Sequence, residues 1–203
     1  MTTLISPLFF DQLSQMKPDA VCERSLCTFN SATGTYELTV WNHKYLVRPH
    51  EYMIHSNPLK NGDAKLHPYF DIFIIHYLLS VKNISASGIW ISEKDIPGGS
   101  TFFRGPHEIP THLVTEKFAD AREFLQGTRA LQGVAVDNMG DAAVILEITP
   151  RIPVMVIYWE RDEDFPAESK ILYDETIIQH FPADVVYALA FGICQGFGTL
   201  PPL

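Results

Sequence analysis

The chain has 203 residues, 46% of them apolar and 19% charged, enough apolar material for one sizeable core and too much for a disordered chain. Its formal net charge is −9 and its pI is near 5.3, with no run of Lys or Arg to interrupt the acidic balance. That balance opposes phosphate backbones and anionic lipids, so neither a nucleic-acid nor a membrane partner is expected.

The N-terminal MTTLISPLFFDQL has no basic n-region and no small-residue cleavage site, unlike a signal peptide. The three cysteines, Cys22, Cys27 and Cys194, are too few for a disulfide framework and suit a reducing compartment. Cys22 and Cys27 could supply half of a metal site, but no second pair exists, so they read as buried or idle thiols. A cytoplasmic location is the resulting expectation.

Residues 7–25 read as helix in two pieces, broken at Pro18, which lacks an N–H and disfavours helix in the residue before it. Tyr36, Leu38 and Val40 alternate with Glu37 and Thr39, the period of a half-buried strand. Strands over 26–30, 35–41 and 44–48 are predicted as an antiparallel meander, followed by a polar loop over 49–66. A helix from His67 to about Lys82 is apolar almost all round and so should be central. A short strand over 88–92 and a Gly/Pro-dense loop over 96–110 come next. Helices are expected over 111–118 and 120–131, the second opened by Asp120 and Glu123 at capping-box spacing. Residues 142–148 and 153–159 read as paired strands, 160–168 as an acidic loop, and 168–173 and 175–180 as short helices. A last helix over 182–195 opens at Pro182 and closes at Gly196 or Gly198. Without an internal repeat or linker, the expectation is a single α+β domain over 1–203. Its antiparallel sheet elements, the N-terminal meander and the later hairpin, pack against buried helices.

Two segments look more like a site than like scaffolding. In PGGSTFFRGPH (97–107), Gly98 and Gly99 admit positive φ and let backbone N–H groups approach a ligand, as in an anion-binding nest. Arg104 adds a planar fork for carboxylate or phosphate, and His107 adds a group that titrates near neutrality. The string lacks the Gly-Lys-Ser/Thr ending of a phosphate loop and the glycine spacing of a dinucleotide fingerprint. In the second segment, Arg151 stands between Pro150 and Pro153, and Glu160, Asp162, Glu163 and Asp164 crowd the end of a strand. Those acids lack the glycine and spacing of an EF-hand loop, and Asp164 or Glu168 could equally pair with an arginine. His107 and His112 are five apart, as are His50 and His55, rather than the four of a helical metal motif. No metal site is expected, and no cofactor is named by the residues.

The strings PGGSTFFRGPHEIPT and PRIPVMVIYWERDEDFPAESKILYD resemble the domain of unknown function numbered 3786, over roughly residues 68–190. The resemblance implies an association with anaerobic bacteria and archaea. Some members carry an added four-cysteine iron–sulfur segment, which implies a link to low-potential redox or corrinoid metabolism. This chain departs there, having three scattered cysteines. The resemblance supplies no catalytic residues.

Three functions follow. The favoured one is a binding or accessory protein for an anionic small molecule or organic cofactor. It would use Gly98, Gly99, Arg104, His107 and Arg151, with Asp162 and Asp164 as orienting carboxylates. The second is an enzyme with His107 as acid/base, Arg104 or Arg151 as electrophilic stabiliser, and Asp162 or Asp164 as an orienting or metal-binding group. The third is an interaction subunit whose Phe102, Phe103, Trp159 and Phe165 form an exposed patch for a protein partner.

Overall fold

The structure, a computed structural model, describes residues 5–41, 43–58 and 66–199. Helices α1 (Pro7–Ser14) and α2 (Pro18–Ser25) each begin with a proline in the first turn, where the missing N–H has no intrahelical partner to lose. Strands β1 (Thr28–Asn30), β2 (Thr35–Val40) and β3 (His43–Arg48) form the expected antiparallel meander. A fourth strand, β4 (Met53–Pro58), continues it at the edge, in register from Met53 opposite Arg48. That strand falls where a loop is predicted. Its polar sequence, with an exposed His55 and a terminal proline, fits an edge and hides the strand period. Pro49–Glu51 of the predicted loop form a single 3-10 turn, and its residues 59–65 lie outside the described residues, as does Asn42.

Helix α3 (Tyr69–Ser80) buries Phe70, Phe73, Ile74, Ile75, Tyr77 and Leu78, as its all-round apolar sequence predicts. After the short strand β5 (Trp90–Ile91) come two one-turn helices, α4 (Gly99–Phe102) and α5 (His112–Thr115), shorter than the predicted 111–118. Helix α6 (Ala121–Arg129) is capped by Asp120, whose side chain accepts the Glu123 N–H at 2.7 Å, while Glu123 reaches back to the Ala119 N–H at 3.0 Å.

The hairpin of β7 (Ala142–Thr149) and β8 (Ile152–Trp159) belongs to a larger sheet. Residues 168–173, expected to be helical, lie instead in strand β9 (Glu168–Asp174) beside β8. The alternation of Ser169, Ile171 and Tyr173 facing inward is a period-2 signal that a seven-residue window bounded by charges obscures. With β6 (Val134–Ala135), the order is β5-β9-β8-β7-β6, antiparallel throughout. One face of this sheet, with Val144, Leu146, Val154, Val156, Tyr158, Ile171 and Tyr173, joins the main core. The other carries a small cluster around Ala143, Met155 and Ile157, with Trp90 and Trp159 at its margin. A hydrogen bond from Trp41 N–H to the Ile148 carbonyl (2.9 Å) ties the two sheets together. The α+β architecture expected from the sequence is thus the one observed.

After the one-turn α7 (Ile177–His180), helix α8 (Ala183–Gly198) packs against α3. It runs through Gly196 and ends at Gly198, the second of the two predicted stops. A Cβ at Gly196 would lie 2.5 Å from the Trp41 ring, and one at Gly192 would lie 2.9 Å from Phe70. These glycines are notches for aromatic rings. No helix among the described residues is long and apolar enough to cross a membrane.

Two buried polar groups make the fold acid-sensitive. The His180 imidazole is 4% exposed and accepts the Lys82 N–H at Nδ1 (3.1 Å). Burial, aided by the charges of Lys82 and Arg151, lowers its pKa to about 4. The Asp174 carboxylate accepts N–H and hydroxyl bonds from Ser87, Gly88 and Thr176. Burial pushes its pKa up, but these hydrogen bonds outweigh that and hold it below its ordinary value. The unfolded chain therefore binds protons before the native state does. The His180 contribution is complete above the ordinary imidazole value and is lost as pH falls from there towards 4; the Asp174 contribution fades lower still. Denaturant melts should show stability falling between about pH 6.5 and 4. His180→Asn, which keeps an acceptor near Nδ1 but cannot titrate, should flatten that slope. An equally steep slope in the variant would refute the assignment.

Candidate functional site

The 96–112 segment is braced where it begins. The Asp95 carboxylate accepts the Ser92 N–H and hydroxyl at 2.8 and 2.7 Å, and Ile96 is buried. Gly98 adopts φ 76°, and Gly99 then packs so closely that a Cβ would lie 1.9 Å from the Glu93 carbonyl oxygen. The Gly99 N–H donates to the Ile96 carbonyl at 2.7 Å. These glycines shape the turn, and one of the expected nest donors is already bonded.

From that turn the chain delivers Phe102 and His107 to the surface of α8. The His107 ring stacks on Phe102 with centroids 4.5 Å apart and planes 11° off parallel. Tyr187 of α8 stands edge-on to His107 at 5.3 Å and donates its hydroxyl to the Pro106 carbonyl at 3.2 Å. The ring row continues from Tyr187 to Phe191 and Tyr69, whose centroids are 4.9 Å apart, and to His67. Between α3, α8 and the loop, a pocket of about 330 Å³ opens beside Tyr69, His76, Phe102, His107, Asp184 and Tyr187. Burial lowers the His76 pKa, against a smaller opposing pull from the Asp184 carboxylate, so its imidazole is neutral at pH 7. No Lys or Arg is among the described residues lining the pocket. Its chemistry is stacking surface, the imidazoles of His76 and His107, and the Asp184 carboxylate.

The second segment is divided. Arg151 donates to the Arg24 carbonyl (3.2 Å), the Ile84 carbonyl (3.2 Å) and the Asn83 side-chain oxygen (2.5 Å). Arg24 in turn donates to the carbonyls of Leu78 and Leu79. Arg151 thus clamps the end of α2 to the chain leaving α3. The acidic loop lies at the other end of β8, whose eight residues span about 26 Å at about 3.3 Å each. There Asp162 accepts the N–H groups of Asp164 and Phe165 at 2.8 and 2.7 Å, while Asp164 stays exposed. Just past the acidic loop, Ser169 of β9 donates to the Thr111 carbonyl (2.8 Å), beside a polar recess of about 290 Å³ between Lys94, Glu108, Glu168 and Lys170.

Of the residues expected from the sequence, His107 reaches the aromatic pocket. Gly98 and Gly99 position the loop that carries it, and Arg104 is exposed on that loop. Arg151, Asp162 and Asp164 line neither this pocket nor the polar recess. The aromatic residues of the interaction reading are dispersed: Phe103 packs on the main core, Trp159 on the small cluster, and Phe165 is 70% exposed. Sequence reasoning missed Tyr69, His76, Asp184 and Tyr187. Their signal was spacing, since Tyr69, Ile72 and His76 recur at three and seven residues on one helix, and Asp184, Tyr187 and Phe191 do so on another. Among the described residues no group of three or more His, Cys, Asp or Glu side chains is placed to hold a metal ion.

Fold and site together define an α+β domain with a small aromatic-rimmed pocket. The family described as "Domain of unknown function (DUF3786)" matches residues 17–196, and the chain belongs to it. No curated protein and no solved structure matches the chain.

Proposed function

We propose that this protein is a small-molecule binding or accessory protein and that its ligand is a planar organic ring held in the aromatic pocket. The observation that carries this reading is the near-parallel stack of His107 on Phe102, closed edge-on by Tyr187, at the mouth of a pocket that also holds His76 and Asp184. Stacked and edge-on rings offer a ligand both faces and edges of complementary charge. A volume of about 330 Å³ lies at the lower end of ligand pockets, which run from about 300 to about 1,000 Å³. It suits one ring or two fused rings; a whole tetrapyrrole would seat only an edge.

The anionic ligand expected from the sequence loses support, because Arg151 and the Gly99 N–H are already bonded and Asp184 faces the pocket. A neutral or weakly basic heteroaromatic fits better, with His76 and Asp184 accepting or sharing its protons. Within the anaerobic redox or corrinoid metabolism that the family resemblance suggests, such a protein would hold or hand on a ring-bearing cofactor. Native mass spectrometry and an absorbance spectrum of protein purified without oxygen test this. Wild type should carry a ring-absorbing ligand, Tyr187→Phe should keep it, and His107→Ala should lose it with little change in Tm, since His107 is exposed. Wild type free of ligand, or full retention by His107→Ala, would overturn the proposal.

A further inference from the structure

Away from the pocket, the end of α2 brings two sulfurs together. The helix closes at Leu26 in the left-handed conformation (φ 54°), and this turn carries Cys27 back beside Cys22. The Sγ atoms are 3.6 Å apart, and both cysteines are free thiols. The backbone bearing them is fixed from several sides. Ser25 donates its hydroxyl to the Val21 carbonyl at 2.7 Å, Tyr77 donates to the Ser25 carbonyl at 2.8 Å, and Arg24 holds α2 to the end of α3. Contact at this distance needs only modest side-chain rotation to reach the bonding separation of about 2.05 Å.

The two thiols are unlike. Cys22 is half-buried on the helix, whereas Cys27 is 8% exposed, and burial pushes its thiol up to about 12. Cys22 is the one a solution reagent can reach, and Cys27 is placed to resolve what forms on it. Cys194, wholly buried in α8, stands apart as an internal control.

We propose that Cys22 and Cys27 form a redox-active dithiol that small disulfides of the glutathione class oxidise to an intrachain disulfide. The Cys22 thiolate attacks one sulfur of the reagent, the reagent's S–S bond breaks, and the departing thiolate takes up a proton. Cys27 then gives up its proton and attacks the Cys22 sulfur, expelling the second reagent thiolate, which is protonated in turn. Two protein thiols lose two electrons and two protons, and one small disulfide becomes two thiols. The bridge formed ties the end of α2 to the chain entering β1, next to the Arg24–Arg151 clamp.

The test is to treat the full chain with oxidised glutathione under argon, quench with acid, count thiols after denaturation and map the peptides. The expected result is loss of two of the three thiols, a Cys22–Cys27 linked peptide from monomeric protein, and recovery with dithiothreitol. Cys27→Ser should stop at a glutathione adduct on Cys22, and Cys22→Ser should keep both remaining thiols. Retention of all three thiols by wild type, a Cys22 adduct that never closes, or a link between chains instead of within one would overturn the proposal.

Discussion

Gly99→Val is expected to destabilise the protein by about 3 kcal/mol or more in urea melts. The new Cβ would lie 1.9 Å from the Glu93 carbonyl oxygen, a backbone atom that cannot swing aside as a flexible side chain would. Moving it means shifting the turn over 93–95, whose geometry is pinned by Asp95 and Ser92. Gly98 supplies the control. It sits at φ 76°, where a side chain is strained, but a Cβ there meets nothing within 4 Å. Gly98→Ala should therefore cost only the left-handed penalty of about 1–2 kcal/mol. A loop whose glycines serve chiefly to bare N–H groups to a ligand would show the reverse pattern, with small stability losses at both positions and a large loss of binding.

The second large effect is expected at Arg151. Arg151→Ala removes three hydrogen bonds from one guanidinium and leaves the Arg24 and Ile84 carbonyls without those donors. Hydrogen bonds to charged groups contribute about 1.5–3 kcal/mol each, with shared losses that do not add fully, so a total near 3 kcal/mol is expected. Arg151→Lys should recover little of it, because an ammonium cannot reach three acceptors in one plane. Ligand binding at the aromatic pocket should be unchanged in both variants under native conditions. Undiminished stability with binding abolished would return Arg151 to the ligand site and contradict the clamp.

The fold was legible where sequence period and chemistry agreed. The alternation around Tyr36, Leu38 and Val40 gave the meander, and the all-round apolar run from Tyr69 gave the central helix. It was obscured where an edge or a short window hid the period, as in polar β4 and in β9, whose inward Ile171 and Tyr173 are flanked by charges. Gly196 misled because a glycine in a helix can mark either a stop or a notch, and only the Trp41 ring opposite it decides which. The site was half legible. Glycines, prolines and His107 marked the loop, but its other wall comes from two separate helices, α3 ahead of the loop in sequence and α8 near the far end of the chain. Tyr69, His76, Asp184 and Tyr187 become neighbours only through the packing of α3 on α8. Arg151 looked like a ligand-binding group because exposed and structural arginines read alike in sequence. Its three backbone and amide partners, contributed by α2 and the chain after α3, are tertiary facts.

The claim that the aromatic pocket selects rings over anions can be tested by saturation-transfer NMR with two probe sets. One set would hold neutral one- and two-ring heteroaromatics, such as imidazopyridines and pterins; the other would hold inorganic phosphate, probed by phosphorus relaxation, and small carboxylates. Ring probes should receive saturation from wild type and from Tyr187→Phe, and lose most of it in His107→Ala, while phosphate and carboxylates stay silent. Binding of the anions with silence from the rings, or ring signals unchanged in His107→Ala, would contradict the account.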